Sequence, residues 1–183
     1  EFLKKNPTHT YAMSQLSEIA NRLGHFDDAE LLLEKAVQFN PDDGELRMKY
    51  ALVLRKKQKF AETMEQVNIL CDKYPDNLAY QAQKASEIMQ NGLHEDAIDL
   101  FDDILNKNPH NFSTYTSRGH ALKTLGKTND AIESYQSAYK IRPDHGEAFF
   151  SLANLKTYSF SDPEFINMKE QIKRVDLSLR DKA

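Results

Sequence analysis

The stretch that decides the fold is residues 110–143, "HNFSTYTSRGHALKTLGKTNDAIESYQSAYKIRP". Apolar residues fall at helical spacing twice within it, first at Tyr115, Leu122 and Leu125, then at Ala131, Tyr135, Ala138 and Tyr139. It therefore reads as two helices joined by a turn at Gly126. Its closing proline has counterparts, because Pro7, Pro41, Pro75, Pro109 and Pro143 stand 34 residues apart. On the same step Gly24, Gly92 and Gly126 share one column, and Ala29, Thr63, Ala97 and Ala131 another. Small residues recur where two backbones approach. Each proline disfavours helical geometry in the residue before it and so closes the second helix of its unit. A helix pair of this size cannot bury its apolar face alone, so it packs on its neighbours, and stability becomes a sum of unit and interface terms.

The bulk numbers bound what such an array can do. The chain has 183 residues, 40% hydrophobic and 28% charged, with a net charge of −4, the ordinary range for one domain or a short repeat array. Both signs are mixed along the chain, and the longest basic run is "RKKQK" at 55–59, which excludes an electrostatic nucleic-acid binder. A single cysteine, Cys71, forms no internal disulfide and points to a reducing, cytoplasmic location. No apolar run approaches the roughly 18 residues of a membrane span. The opening "EFLKKNP" does not resemble a signal peptide.

The period and its residues resemble the tetratricopeptide repeat, whose first helix carries an aromatic, Leu, a small residue and an aromatic, and whose second carries Ala, an aromatic and Pro. The match runs through Tyr115, Gly119, Leu122, Ala131, Tyr135, Ala138 and Pro143, with Arg118 where Leu is usual. The unit built on Met13, Ala20, Ala29, Leu33 and Ala36 is looser, and the one built on Tyr50, Ala51, Leu54, Thr63, Val67 and Leu70 is the most divergent. The resemblance implies an all-α, right-handed superhelical solenoid of antiparallel helix pairs, with first helices lining a concave face that holds partners. The expected organisation is a tail of a preceding repeat helix at 1–7, units at 8–41, 42–75, 76–109 and 110–143, and an incomplete fifth unit with a divergent C-terminal helix at 144–183. Glu1 and Phe2 read alternatively as a cloning scar.

Candidates for chemistry are few. Residues 121–128, "ALKTLGKT", fit a relaxed phosphate-loop pattern, in which Lys127 and Thr128 would serve phosphate and magnesium. That motif needs a strand entering a glycine-rich loop, whereas a helix precedes this one, and Thr128 reads as a helix cap. The histidines His9, His25, His94, His110, His120 and His145 lack a second ligand one helical turn away. His120 faces the groove, with no carboxylate near it in sequence, and reads as a polar lining residue rather than a base. The pairs Asp27 with Asp28 and Asp102 with Asp103 read as solvated faces or caps, and Cys71 as a packing residue. No cofactor and no metal are expected.

Helical spacing places a set of side chains on the inner face of the first helices: Tyr11, Ser14, Glu18 and Asn21; Met48, Leu52 and Arg55; Ala82, Ser86 and Met89; Thr116, His120 and Lys123; Phe150, Asn154 and Thr157. The third group is small, so the middle of the groove should be roomy. Repeats that clamp a terminal carboxylate use Lys, Asn and Arg at places held here by Ser14, Glu18, Lys49, Ala79 and Gln83, so that clamp is not made. The lining reads equally as solvated surface and as a groove for a protein or peptide ligand. Apolar helix faces bare at either end can also drive dimers in a crystal.

After Lys156 the rhythm fails. The turn residue of a fifth unit would fall at Phe160, and "SFSDPEF" starts a new helix there, with Ser161 and Glu164 as a capping box around Pro163. Phe165, Met168, Ile172, Val175 and Leu179 continue as an apolar stripe, and Ser178 with Asp181 suits a further cap. The segment with Ala153, Asn154, Leu155, Lys156, Thr157, Phe160, Ser161, Asp162, Glu164 and Met168 resembles the junction in bacterial tetratricopeptide-repeat sulfotransferases. The resemblance implies a parent whose later α/β domain transfers a sulfuryl group from 3′-phosphoadenylyl sulfate. The family's Pro-Arg-Ser-Gly-Thr-Thr loop is absent from these residues, so the chain reads as a non-catalytic scaffold. The alternatives are a free-standing adaptor in bacterial secretion or envelope assembly, and a nucleotide-binding enzyme using Lys127 and Thr128.

Overall fold

A computed structural model describes residues 2–173, and all of the elements in it are helices. First helices are α2 (Thr10–Arg22), α4 (Gly44–Lys56), α6 (Leu78–Gln90), α8 (Phe112–Thr124) and α10 (Gly146–Ala153). Second helices are α3 (Phe26–Phe39), α5 (Phe60–Lys73), α7 (His94–Lys107), α9 (Thr128–Ile141) and α11 (Asp162–Ile172), and a single turn, α1 (Phe2–Lys5), opens the chain. Every first helix starts 34 residues after the last, and so does every second helix.

Local chemistry fixes the ends. Asp43 Oδ1 accepts from Leu46 N–H at 3.0 Å and Asn111 Oδ1 from Thr114 N–H at 3.1 Å, satisfying donors that the first helical turn leaves open. Each of Pro41, Pro75, Pro109 and Pro143 stands two residues beyond the end of a second helix. First helices α2 and α8 end through a glycine in the left-handed region, Gly24 at φ 80° and Gly126 at φ 75°, the conformation glycine tolerates best. In the same column Gln58 holds φ 59°. The cap of α9 corrects the expectation for Thr128: it is the first helical residue and Lys127 occupies the cap.

Two compact units divide at Glu87 and Ile88, within α6. In the first, α2 packs on α3, α3 on α4 and α4 on α5, burying Met13, Ala36, Val37 and Leu46 in one cluster and Ala20, Ala29, Leu33 and Val53 in another. In the second, α8 packs between α7 and α9, and α9 against α10, around Leu122, Tyr135, Tyr139, Phe149 and Leu152. Tyr139 stacks on Phe149 with ring centroids 4.8 Å apart.

The departure near residue 156 takes a different form from the one the pattern suggests. α11 begins in phase, 34 residues after α9. What changes is α10, which has 8 residues where the other first helices have 13, and the left-handed residue moves forward to Lys156 at φ 59°. Glu164 then anchors the entry to α11: Oε2 accepts from Ser161 N–H and Oγ–H at 2.8 Å each, and Oε1 accepts from Tyr139 Oη–H at 2.5 Å and from Tyr158 Oη–H. Val175, Ser178, Leu179 and Asp181 lie outside the described residues.

Candidate functional site

The first unit brings most of its groove residues together. Tyr11, Ser14, Glu18 and Asn21 project from α2, and Leu52 from α4, onto two neighbouring cavities of about 270 and 150 Å³. Leu33, Leu52 and Val53 give the larger cavity an apolar wall, and Glu18, Asn21 and Lys49 give it a polar one. Tyr11, Ser14, Asp43 and Glu45 line the smaller. Lys49 belongs to both, with Nζ 3.1 Å from Ser14 Oγ and 3.0 Å from Glu45 Oε1. Lys56 Nζ donates to Asn21 Oδ1 at 2.8 Å, and Arg22 pairs with Glu18 at 2.6 Å. The site is thus an apolar cup rimmed by cations, amides and carboxylates that are already lightly paired.

Other expected lining residues in this unit are used differently. Arg55 pairs at 3.3 Å with Glu87, a fully buried carboxylate that also accepts from Gln83 at 2.5 Å. A lone buried charge is strongly destabilising, so Arg55 is committed to α6. Met48, Ala82 and Ser86 are half-buried and line neither cavity, and Ser86 Oγ–H donates to Ala82 O at 2.9 Å. "RKKQK" closes α4 and spends Lys57 on Asp27 and Glu30, while Lys59 takes the other oxygen of Glu30. Burial opposes ionisation of Glu30, yet the two lysines outweigh it and lower its pKa.

The second unit corrects more of the expectations. Thr116 is buried, its Oγ–H bonded to Phe112 O at 3.1 Å and its oxygen 3.0 Å from His145 Nε2, so it belongs to the α8–α10 packing. Met89 packs on the core. His120 does have a carboxylate beside it, because α10 brings Glu147 Oε1 to 3.4 Å from Nε2, while Tyr135 Oη lies 2.9 Å from Nδ1. Burial, aided by the Glu147 charge and opposed by a Ser151 hydrogen bond, pushes the Tyr135 phenol up to about 12. A carboxylate can only accept, so the tautomer that fits this geometry points Nε2–H at Glu147 and lets Nδ1 accept from the Tyr135 hydroxyl. His120 is a strut joining three helices. Lys123, Phe150, Asn154 and Thr157 are exposed.

The phosphate-loop resemblance dissolves on geometry. Residues 121–128 run from the last turns of α8 into α9, and the turn amides are spent: Gly126 N–H donates to Lys123 O at 3.0 Å and Lys127 N–H to Leu122 O at 2.9 Å. A phosphate cradle needs those N–H groups free. Burial raises the pKa of the Cys71 thiol, as expected of a packing residue. Among the described residues no three His, Cys, Asp or Glu side chains gather as a metal site, and no helix is long and apolar enough to cross a membrane.

Two features escaped the pattern. Lys49, named from the sequence only as the occupant of an unmade clamp, sits one position from the spacing used to pick lining residues, and its central place follows from α4 turning its Lys49–Leu52 edge toward α2. A cavity of about 580 Å³ opens between α7, α8 and α9 beside Tyr115 and Glu133. There Arg118, the residue replacing the usual Leu, binds Asp102 Oδ1 at 2.5 Å and Ser134 Oγ at 2.7 Å. That substitution was the visible signal.

Two family models, both described as the tetratricopeptide repeat, match residues 15–78 and 112–145, together more than half of the chain. The chain is a tetratricopeptide-repeat protein. Its array resembles that of YrrB, a tetratricopeptide-repeat protein with an unusual peptide-binding site, with a TM-score of 0.68 at 17% identity over 85% of this chain and 78% of that one. It also resembles MamA from Desulfovibrio magneticus, with a TM-score of 0.68 at 15% identity over 91% and 97% of the two chains. Likeness at such identities is one of fold. Among curated proteins, the probable peptide N-acetylglucosaminyltransferase SPINDLY of Hordeum vulgare is 28% identical over 115 residues, 63% of this chain. The O-mannosyl-transferase TMTC1 of Homo sapiens is 21% identical over 148 residues, 79% of this chain. The matches span only 12% and 17% of those two relatives. They carry the repeat family and not the sulfotransferase relation.

Proposed function

We propose that this repeat protein is a binding scaffold whose first unit holds an extended peptide across α2 and α4. The observation that carries the reading is the placing of Lys49 between two cavities, one of them walled by Leu33, Leu52 and Val53. An apolar peptide side chain fills the larger cup, and a carboxylate or main-chain carbonyl meets Nζ in place of Ser14 and Glu45. Burial of one Leu-sized side chain contributes about 1.5–3 kcal/mol, which supports a modest affinity that further contacts raise. No catalytic role is assigned to any residue. The test is an array of immobilised peptides probed with the full chain and with Lys49→Glu, Leu52→Asp and Lys123→Ala. Loss of the bound set in the first two variants alone supports the reading, and equal binding by all three refutes it.

The junction at Ala153–Met168 favours one finer reading, that the array is the repeat region of a sulfotransferase-like polypeptide. The short α10 and the Glu164-anchored entry to α11 support an array adapted to a following module. The parent gene beyond Ala183 tests it: a strand followed by Pro-Arg-Ser-Gly-Thr-Thr is expected, and its absence rules the reading out.

A further inference from the structure

Residues at equivalent places in successive repeats should be equally buried if each first helix has the same neighbours, and on α2 they are not. Ile19 is 55% exposed, whereas Val53, Glu87 and Ala121, one, two and three repeats on, are 3%, 2% and 0% exposed. Along α2 the exposure climbs, from a half-buried Ala12 to 45% at Leu16, 55% at Ile19 and 69% at Leu23. The climb follows distance from α1. That single turn ends at Lys5 on the same step by which the second helices end at Phe39, Lys73, Lys107 and Ile141. Its Leu3 packs into the cluster of Met13, Val37 and Leu46, and Leu3 stands one repeat before Val37.

What covers the equivalent face elsewhere specifies the missing partner. Val53 on α4 is covered by Ala29 and Leu33 of α3. The matching positions of α5 are Thr63 and Val67, and those of α7 are Ala97 and Phe101, all at most 1% exposed. Where α3 packs on α4 and α7 on α8, the covering helix carries a small residue and, one turn later, a bulky apolar one. We propose that the α2 face carrying Leu16, Ile19 and Leu23 is the docking surface for a second helix of one more repeat, antiparallel to α2, continuous with α1, and built on that small-then-bulky pattern. Two exposed apolar side chains of α2, Leu16 and Ile19, and Leu23 at its C-cap are thereby removed from water together, which solitary surface leucines would not require.

Placing a copy of residues 26–34 directly before Glu1 rebuilds such a helix, with the copied Ala29 and Leu33 falling in the covering columns. The extended full chain should melt higher than the original by about 4 °C or more. Ile19→Gln should be nearly neutral in the original chain and should remove most of the gain in the extended one. Leu33→Gln within the copied segment alone should abolish the gain. No rise, or a rise that Ile19→Gln leaves intact, overturns the proposal. So does a dimer of the original chain that Ile19→Gln converts to monomer, since the occupant would then be a second copy.

Discussion

Adding one methyl group at Gly119 measures how closely the helix pair of the second unit is fitted. A Cβ there would lie 2.5, 2.8 and 2.9 Å from Cε1, Cδ1 and Cζ of Tyr135, where comfortable carbon contacts are about 3.5–4.0 Å. The ring must therefore retreat by roughly 1 Å. It has no room, being fully buried with its hydroxyl held 2.9 Å from His120 Nδ1. Overpacking of this kind costs about 1–3 kcal/mol, while Ala for Gly in a helix interior returns up to about 1 kcal/mol. For Gly119→Ala the net loss is up to about 2 kcal/mol, a fall in melting temperature of up to roughly 8 °C for a chain of this length. Far-UV circular dichroism melts of the two proteins read it directly. Tyr135→Leu, costly alone, should cost less in the Gly119→Ala background, because the two changes share one contact. A melting temperature raised by Gly119→Ala, or a cost of Tyr135→Leu that is the same in both backgrounds, would mean that α8 and α9 are not packed through this pair.

Two further outcomes follow from single residues. Gln58→Gly removes a side chain from a left-handed residue at φ 59° and should stabilise by about 1 kcal/mol, seen as a higher denaturation midpoint, whereas Gly126→Gln at the matching place should lower it. The Glu164 carboxyl, which burial alone would raise, is held at about 2 against an ordinary 4.5 by hydrogen bonds from Tyr139, Tyr158 and Ser161. Because the folded pKa is depressed, its contribution is fully present above the ordinary value and is lost as pH falls from there toward 2. The stability gap between the native chain and Glu164→Gln should stay level at neutral pH and close over that acidic window, and a gap independent of pH would refute the assignment.

The period in the sequence carried the helices, because one proline, one turn residue and one small residue per unit answer to local sterics. It also marked the break, but Phe160 suggested a displaced helix, whereas α11 starts in phase and α10 is short. A column pattern records where a turn is expected and not where the left-handed residue settles, which is Lys156. The alignment of Tyr11, Ser14, Glu18 and Asn21 along one edge of α2 follows from helical spacing alone. Spacing says less on α8, because the burial of Thr116 and the anchoring of His120 depend on His145 and Glu147, which reach them from 29 and 27 residues away. Helical spacing assigns a face; which groups from the next element close over it is a tertiary matter.

The central claim, that the inner face of α2 and α4 holds a peptide, is tested most directly by methyl-resolved NMR of the full chain titrated with a peptide selected on that chain. The account predicts saturable shifts at Leu33, Leu52 and Val53, removed by Lys49→Glu, with Ile98 and Leu105 unmoved. Shifts confined to Ile98, Leu105 and other residues of the second unit, with Leu33, Leu52 and Val53 silent, would contradict it.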